Sequence, residues 1–296
     1  MRIPDLPVTE HCVLKKEIAR LGLTGAQIWP LREKDGVLVA RVCAGQAHYV
    51  LKCFRNKAYR REIGWYRALA EMGVPTPRLV AATETSLLLE DVSFGGPLRL
   101  GTEADMRSAE VASSLALWYR RLHEAGRVWL QSHPEIVYSE ADDFTRETLA
   151  LLEKRFALGG LPAWRRLNER FEELSALLSA RCDTLTYNDF YYTNLMVARD
   201  GASALMFDYN LLGRGYAASD LRNVTGSLSD GAARAFLAAY GEASPLDMAL
   251  DDVVSPVLAL RSACRREVFP AWGAEALAQL REGLAQRLEC LDRLLP

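Results

Sequence analysis

Thr186-Tyr187-Asn188-Asp189-Phe190-Tyr191-Tyr192-Thr193-Asn194, followed by Ala204-Leu205-Met206-Phe207-Asp208-Tyr209, is the stretch that orders the rest of the chain. It places one carboxylate at Asp189, an amide oxygen five positions later at Asn194, and a second carboxylate at Asp208. The apolar run 204–207 that leads into Asp208 predicts a strand. Two hard oxygen ligands plus one free carboxylate are what metal-assisted phosphoryl transfer needs. Asn194 and Asp208 can hold magnesium while Asp189 orients an attacking hydroxyl and accepts its proton. An Asx turn or a helix cap explains any single Asp or Asn more often than catalysis does. The joint pattern, D-x-x-x-x-N, then an apolar strand, then D, is harder to assign to local structure alone.

Working upstream, Lys52 is a lone cation in the apolar run Tyr49-Val50-Leu51-Lys52-Cys53-Phe54. By itself it reads as a lysine facing solvent on an edge strand. Glu62, between arginines and a Trp-Tyr pair, reads by itself as part of a solvated helix face. Together they acquire a meaning, because a strand lysine held by a helix glutamate can position the α- and β-phosphates of a nucleotide. Leu87-Leu88-Leu89-Glu90-Asp91-Val92 reads as a buried strand ending in polar residues, where backbone groups of Glu90 and Val92 can meet an adenine edge. Downstream, Asp220 suits either a helix cap or, preferably, a support for the loop that carries Asp189. Tyr191 and Tyr192 can stack on a substrate or simply fill space.

The organisation around these residues is α+β. A helix over 10–21 is followed by β-like stretches at 26–31, 37–43 and 47–54, with glycine at both reversals, Lys34-Asp35-Gly36 and Ala44-Gly45-Gln46. A helix over 59–72 stops near Gly73, with Pro75 and Pro77 beyond it. Short strands at 79–82 and 86–89 complete an antiparallel sheet with one helix inserted after its third strand. The glycine-rich joint Ser93-Phe94-Gly95-Gly96-Pro97 separates this region (1–92) from a mainly helical one (98–296). Helical periodicity there covers 103–126, 139–158, 162–181, 219–240 with a break near Asp230-Gly231, and two helices after Pro245.

The 296 residues suit two lobes or one large domain. A formal charge of −2 supplies no field for nucleic acid or an anionic membrane, so local groups must hold any anionic substrate. Six scattered cysteines without zinc-like spacing read as reduced and mostly buried. The first ten residues lack the basic start and apolar stretch of a signal peptide, and no run reaches the length of a membrane span. A cytoplasmic protein is expected.

In the order of its parts the chain resembles the kinase-like fold, and specifically the aminoglycoside phosphotransferase and choline kinase superfamily. The likeness runs from about Gly25 to Asn223 on Val50-Leu51-Lys52, Glu62, Leu89-Glu90-Asp91, Tyr187 to Asn194, Phe207-Asp208 and Asp220-Leu221. It implies two lobes with a nucleotide cleft, Lys52 on the phosphates and oriented by Glu62, Asp189 as base, and Asn194 and Asp208 on Mg2+. Three departures stand out. Tyr187 occupies the position of the family's catalytic-loop histidine, and Tyr191 that of a second histidine. The loop at 32–36 has only one glycine. Asp208-Tyr209-Asn210 replaces Asp-Phe-Gly, and no Ala-Pro-Glu follows, which disfavours a protein substrate.

The resemblance implies an ATP- or GTP-dependent O-phosphotransferase acting on a small hydroxylated molecule, with an aminoglycoside-like acceptor favoured. The alternatives are a choline/ethanolamine-type or other metabolite kinase, or a catalytically silent relative that binds nucleotide or ligand. A cationic acceptor would use carboxylates such as Asp142, Asp143, Glu147 or Glu267. A quaternary ammonium would use an aromatic cage drawn from Trp118, Tyr191, Tyr192 and Trp272.

Overall fold

The computed structural model describes residues 8–135 and 138–295. Residues 1–7, which carry most of the signal-peptide expectation, lie outside the described residues. The chain forms two compact units, each drawn from separated stretches. The first holds Met1–Arg121, Asp189–Leu212 and Leu228–Ala239; the second holds Leu122–Asn188, Gly213–Ser227 and Tyr240–Pro296.

The first unit begins with α1 (Val8–Arg20), then β1 (Gln27–Lys34), β2 (Val37–Ala44), β3 (Ala47–Phe54), α2 (Arg61–Glu71), β4 (Leu79–Ala82) and β5 (Ser86–Glu90). The strands make one antiparallel sheet in the order β1-β2-β3-β5-β4, with the single helix inserted after the third strand as the spacing predicts. That helix ends where glycine allows: Gly73 sits at φ +69°, the left-handed position that closes a helix without a Cβ penalty.

Alternation along the strands divides the sheet into two faces. Leu38, Ala40, Val42, Leu51, Cys53 and Leu88 pack with Leu14 and Ile18 of α1. The intervening residues Val39, Arg41, Val50, Lys52 and Leu89 line a cavity on the opposite face. Glu17 fastens α1 to the sheet, accepting hydrogen bonds from Thr83 and Ser86 at 2.8 Å each.

Beyond the sheet come β6 (Leu98–Leu100), α3 (Ala109–Ser132), α4 (Arg146–Phe156), α5 (Pro162–Glu169), α6 (Phe171–Arg181) and β7 (Thr184–Thr186). They are followed by β8 (Leu195–Ala198), β9 (Ala204–Met206), β10 (Gly213–Gly215), α7 (Ala217–Thr225), α8 (Asp230–Tyr240), α9 (Pro245–Ala263), α10 (Ala271–Ala278) and α11 (Leu284–Asp292). In the first unit β6, β8 and β9 form a three-stranded antiparallel sheet; in the second, β7 pairs with β10. The second unit's core, which includes Trp164, Leu174, Leu250 and Leu288, is helical.

The long predicted helices are cut more finely than their periodicity suggests. Residues 103–107 form a 3₁₀ turn and the α-helix starts at Ala109. Residues 162–181 break at Arg170, and the predicted break near 230 falls at 226–229 instead. Gly126 does not stop α3, and its backbone is not in the left-handed region; a Cβ there would lie 2.8 Å from the Leu185 backbone nitrogen. That glycine admits a close approach, and the helix runs on to Ser132.

Two other expectations need correction. Only Cys53 and Cys182 are buried, whereas Cys12 is exposed and Cys43, Cys264 and Cys290 are intermediate. Lys52 is on no edge: β3 is the central strand, and the residue is 7% exposed. Among the described residues no helix is long and apolar enough to cross a membrane.

Candidate active site

The cavity on the open face of the five-stranded sheet measures about 280 Å³ and belongs wholly to the first unit. Lys52 reaches into it from β3. Its Nζ donates to Glu62 Oε2 at 2.6 Å and to Asp208 Oδ1 at 2.7 Å. Glu62 comes from the first turn of α2, where the helix N-terminus favours an anion, and is fully buried. It is therefore no solvated face residue. Burial pushes the Glu62 carboxyl up to about 7, with the Lys52 charge pulling the other way. Burial also opposes the charge on Lys52, but the two carboxylates outweigh it and raise that pKa.

Asp208 follows β9 with φ 68°, a left-handed conformation that costs a residue with a Cβ and needs support from its surroundings. The support is visible. The Tyr209 hydroxyl donates to the Met206 carbonyl at 2.6 Å, its ring packs edge-on against Tyr66 at 4.9 Å, and Arg61 Nε donates to the Asn210 carbonyl at 2.6 Å. Asp189 lies in the charge field of Asp208. Burial first, and then that neighbouring carboxylate, pushes Asp189 up to about 6. The 3₁₀ turn Tyr192–Asn194 folds Asn194 back so that its Nδ2 donates to the Asp189 carbonyl and to Asp189 Oδ2, each at 3.1 Å. With the nitrogen so engaged, Asn194 is left to offer its amide oxygen.

Glu90 and Val92 lie on the same cavity wall. The Glu90 N–H is already donated to the Arg78 carbonyl at 3.1 Å. As the first residue of a 3₁₀ turn, Val92 presents an amide that the turn itself does not use. Asp91 between them is spent on structure, accepting from Ser93 N at 2.9 Å and Arg41 Nε at 2.6 Å.

In the second unit Asp220 is fully buried and caps no helix, since α7 starts after Tyr216. Its carboxylate accepts from the backbone nitrogens of Tyr187 at 2.7 Å and Asn188 at 2.9 Å, with His123 Nε2 at 3.1 Å. These contacts hold the backbone immediately before Asp189 in sequence, with Asn188 at φ 64°. Tyr187 is fully buried. Tyr191 and Tyr192 stack on each other at 5.1 Å, and Tyr191 is 59% exposed. Trp118 is unavailable to a cage: it is 3% exposed and donates to the Pro75 carbonyl at 2.8 Å.

Of the residues nominated from the sequence, Lys52, Asn194 and Asp208 line the cavity, Glu62 backs Lys52 from behind its wall, and Asp189 is bonded to Asn194. Spacing did not nominate Arg32, Arg41 or Asp91, which also line the cavity. The signal was present, because Arg41 pairs with Val50 and Arg32 with Val39, which in turn pairs with Lys52. Residues directly opposite one another share a face.

Among the described residues no group of three or more His, Cys, Asp and Glu is arranged to hold a metal. Asn194 and Asp208 offer one amide and one carboxylate oxygen, a partial set that suits Mg2+, which usually completes its shell with water and substrate phosphates. Asp208 Oδ1 is engaged by Lys52, and its second oxygen takes no hydrogen bond among the described residues. The donor chemistry therefore fits.

The profile of the phosphotransferase enzyme family matches residues 37–253. No curated protein matches the chain. Several solved structures share its fold. A macrolide 2'-phosphotransferase from Brachybacterium faecium is 22% identical with a TM-score of 0.61, over 92% of this chain and 98% of that one. An ethanolamine kinase from Plasmodium vivax is 12% identical with a TM-score of 0.65, over 94% and 91%. A spectinomycin phosphotransferase, solved with ADP and spectinomycin, is 13% identical with a TM-score of 0.56, over 96% and 94%. These neighbours are protein-kinase-like phosphotransferases, and at such identities the likeness is one of fold. Because the family profile spans most of the sequence, the chain belongs to the phosphotransferase enzyme family.

Proposed function

We propose that the protein transfers the terminal phosphate of a magnesium-bound nucleoside triphosphate, ATP or GTP, to a hydroxyl of a small molecule. The observation that carries this reading is the Lys52 ammonium held at 2.6 Å by Glu62 and 2.7 Å by Asp208, with Asp189 in the charge field of Asp208. Lys52 binds the α- and β-phosphates, and Glu62 keeps its ammonium in place. Asp189 accepts the proton of the acceptor hydroxyl and aligns it, so most of the acceleration comes from positioning and electrostatics. Asn194 and Asp208 would hold Mg2+, which supplies charge neutralisation on the phosphates. The Glu90 carbonyl and the Val92 N–H meet the edge of the base. In this reading residues 1–92 form the nucleotide-binding lobe, 93–97 its hinge, and 98–296 the helical catalytic and acceptor-binding lobe. A cytoplasmic location, suggested by cysteine usage, belongs to the same proposal.

An aminoglycoside-like acceptor is favoured. The structures of a macrolide and a spectinomycin phosphotransferase among the neighbours support it by analogy of fold. Of the carboxylates considered for a cationic acceptor, Asp143 is bound by Arg265 at 2.6 and 2.8 Å, leaving Asp142, Glu147 and Glu267. A second reading, a choline/ethanolamine-type kinase, draws on the exposed Tyr191 stacked on Tyr192, since aromatic faces attract quaternary ammonium groups. The test is nucleoside diphosphate release with ATP and with GTP over a panel of aminoglycosides, macrolides, amino alcohols and sugars. Turnover with one class, together with a phosphorylated product by mass, assigns the acceptor. Nucleotide binding without turnover of any acceptor would leave a catalytically silent relative.

A further inference from the structure

The connection between β1 and β2 is too short to wrap a phosphate chain. Strand pairing continues to Lys34 opposite Val37, leaving only Asp35 and Gly36 between them. Both have positive φ, 53° and 79°, the geometry of a tight two-residue hairpin turn. The Gly36 carbonyl already accepts from Arg55 N at 2.9 Å and Asn56 N at 3.3 Å, and a Cβ on Gly36 would lie 3.2 Å from Asn56 Cβ. This glycine serves the turn. A glycine-rich phosphate loop works by presenting several unpaired backbone N–H groups, and here the ladder runs to the tip.

Side chains of the same hairpin offer what the backbone does not. Leu31 is the extra residue of a bulge between Pro30 and Arg32, and Arg32 then pairs with Val39, itself opposite Lys52. Arg32 lines the cavity, and Lys34, two residues on, projects from the same face of the strand. The other cations on this wall are committed, Arg41 to Asp91 and Lys52 to Glu62 and Asp208. Among the described residues the side chain of neither Arg32 nor Lys34 forms a hydrogen bond or ion pair, yet the Lys34 charge reaches Asp189. The Lys52 ammonium is already shared by two carboxylates, Glu62 and Asp208, and Asp189 lies in the charge field of Asp208. A polyphosphate entering the cavity needs further positive charge.

We propose that Arg32 and Lys34 form a side-chain clamp on the β- and γ-phosphates of the nucleotide donor, in place of a glycine-rich backbone cradle. The clamp rests on reading this cavity as a nucleoside triphosphate site. Arg32, which lines the cavity opposite the Lys52 row, takes the inner phosphate, and Lys34, two residues nearer the hairpin tip on the same face, takes the terminal one.

The test is equilibrium binding, which needs no acceptor. Arg32→Gln, Lys34→Gln and the double variant are titrated with Mg-ATP, Mg-GTP, ADP, AMP and adenosine. Each charge-assisted hydrogen bond lost should weaken triphosphate binding about tenfold. The loss should shrink from triphosphate to diphosphate and vanish for AMP and adenosine, and Lys34→Arg should restore affinity. Unchanged triphosphate affinity in the double variant overturns the clamp, as does an equal loss for adenosine and ATP. A wild-type protein that binds none of the five ligands would instead overturn the underlying nucleotide-site reading, and the clamp with it.

Discussion

Both compact units bury charge, but the surroundings of Lys52 in the first do so differently from the buried carboxylates of the second. In the first, Glu62 and Asp208 share the single ammonium of Lys52 with Asp189 in the charge field of Asp208, and burial pushes Glu62 up to about 7 and Asp189 to about 6. In the second, the buried carboxylate of Asp251 accepts from the Tyr216 hydroxyl and from Arg222 Nε, each at 2.6 Å. Burial raises its pKa too, with Arg222 and Tyr216 opposing. Asp220 likewise receives two backbone amides and His123. The second unit matches each buried carboxylate with donors, and such a network holds backbone in place. The surroundings of Lys52 are short of positive charge, a condition that a metal ion and further cations around phosphate would relieve.

Four variants test that contrast. Asp189→Asn should have the largest effect, lowering kcat by about 10³-fold, the scale of a lost general base, while nucleotide affinity changes little. Undiminished turnover would remove Asp189 from the mechanism. Lys52→Met should reduce turnover by about 10²-fold and, by leaving Glu62 buried without its partner, cost about 3–5 kcal/mol of stability at pH 8. Adding Glu62→Leu should recover the melting temperature but not the activity. A double variant as unstable as the single one would mean that the pair does not act as a unit. Asp251→Asn, on the matched side, should lower stability by about 1–3 kcal/mol and leave kcat within about twofold, measured by thermal melts beside steady-state assays. A kcat loss as large as that of Asp189→Asn would erase the distinction between the two regions.

The Asp189→Asn variant also carries a smaller, signed effect on stability. A folded-state pKa raised to about 6, above the ordinary 3.8, means that the folded protein holds this proton more tightly than the unfolded chain. Stability from this group is therefore present below about pH 4 and is lost as pH rises through 6. The asparagine variant should melt a few degrees above the wild type at pH 8 and show no such gain near pH 4. A wild type that melts higher at pH 8 would mean that the ionised carboxylate is stabilised by its surroundings.

Lys52, Asp189, Asn194 and Asp208 could be nominated from the sequence because each is a polar side chain in or beside an apolar run or in a polar loop, and Glu62 only through its pairing with Lys52. The strand register that turns Lys52 to the same face as Arg32 and Arg41 was implicit in the two short reversals at Gly36 and Gly45. Arg32 and Arg41 escaped notice because an arginine in a strand looks the same whether it meets solvent or a cavity. The pairing of Arg41 with Asp91, 50 positions away, is a tertiary fact. Trp118 looked eligible for a cage by residue type alone, and packing against Pro75 removed it.

Local chemistry in the chain was enough to set the five strands of the first sheet, the first helices and the identities of the charged groups, since these follow from periodicity, glycine conformations and side-chain type. Folding alone decided that Lys52 sits on a central strand, that Gly126 admits Leu185 rather than ending a helix, and that one ammonium must serve two carboxylates. The reason is that burial and electrostatic coupling depend on distances between residues remote in sequence. Lys52 and Asp208 are 156 positions apart in the chain and 2.7 Å apart in the fold.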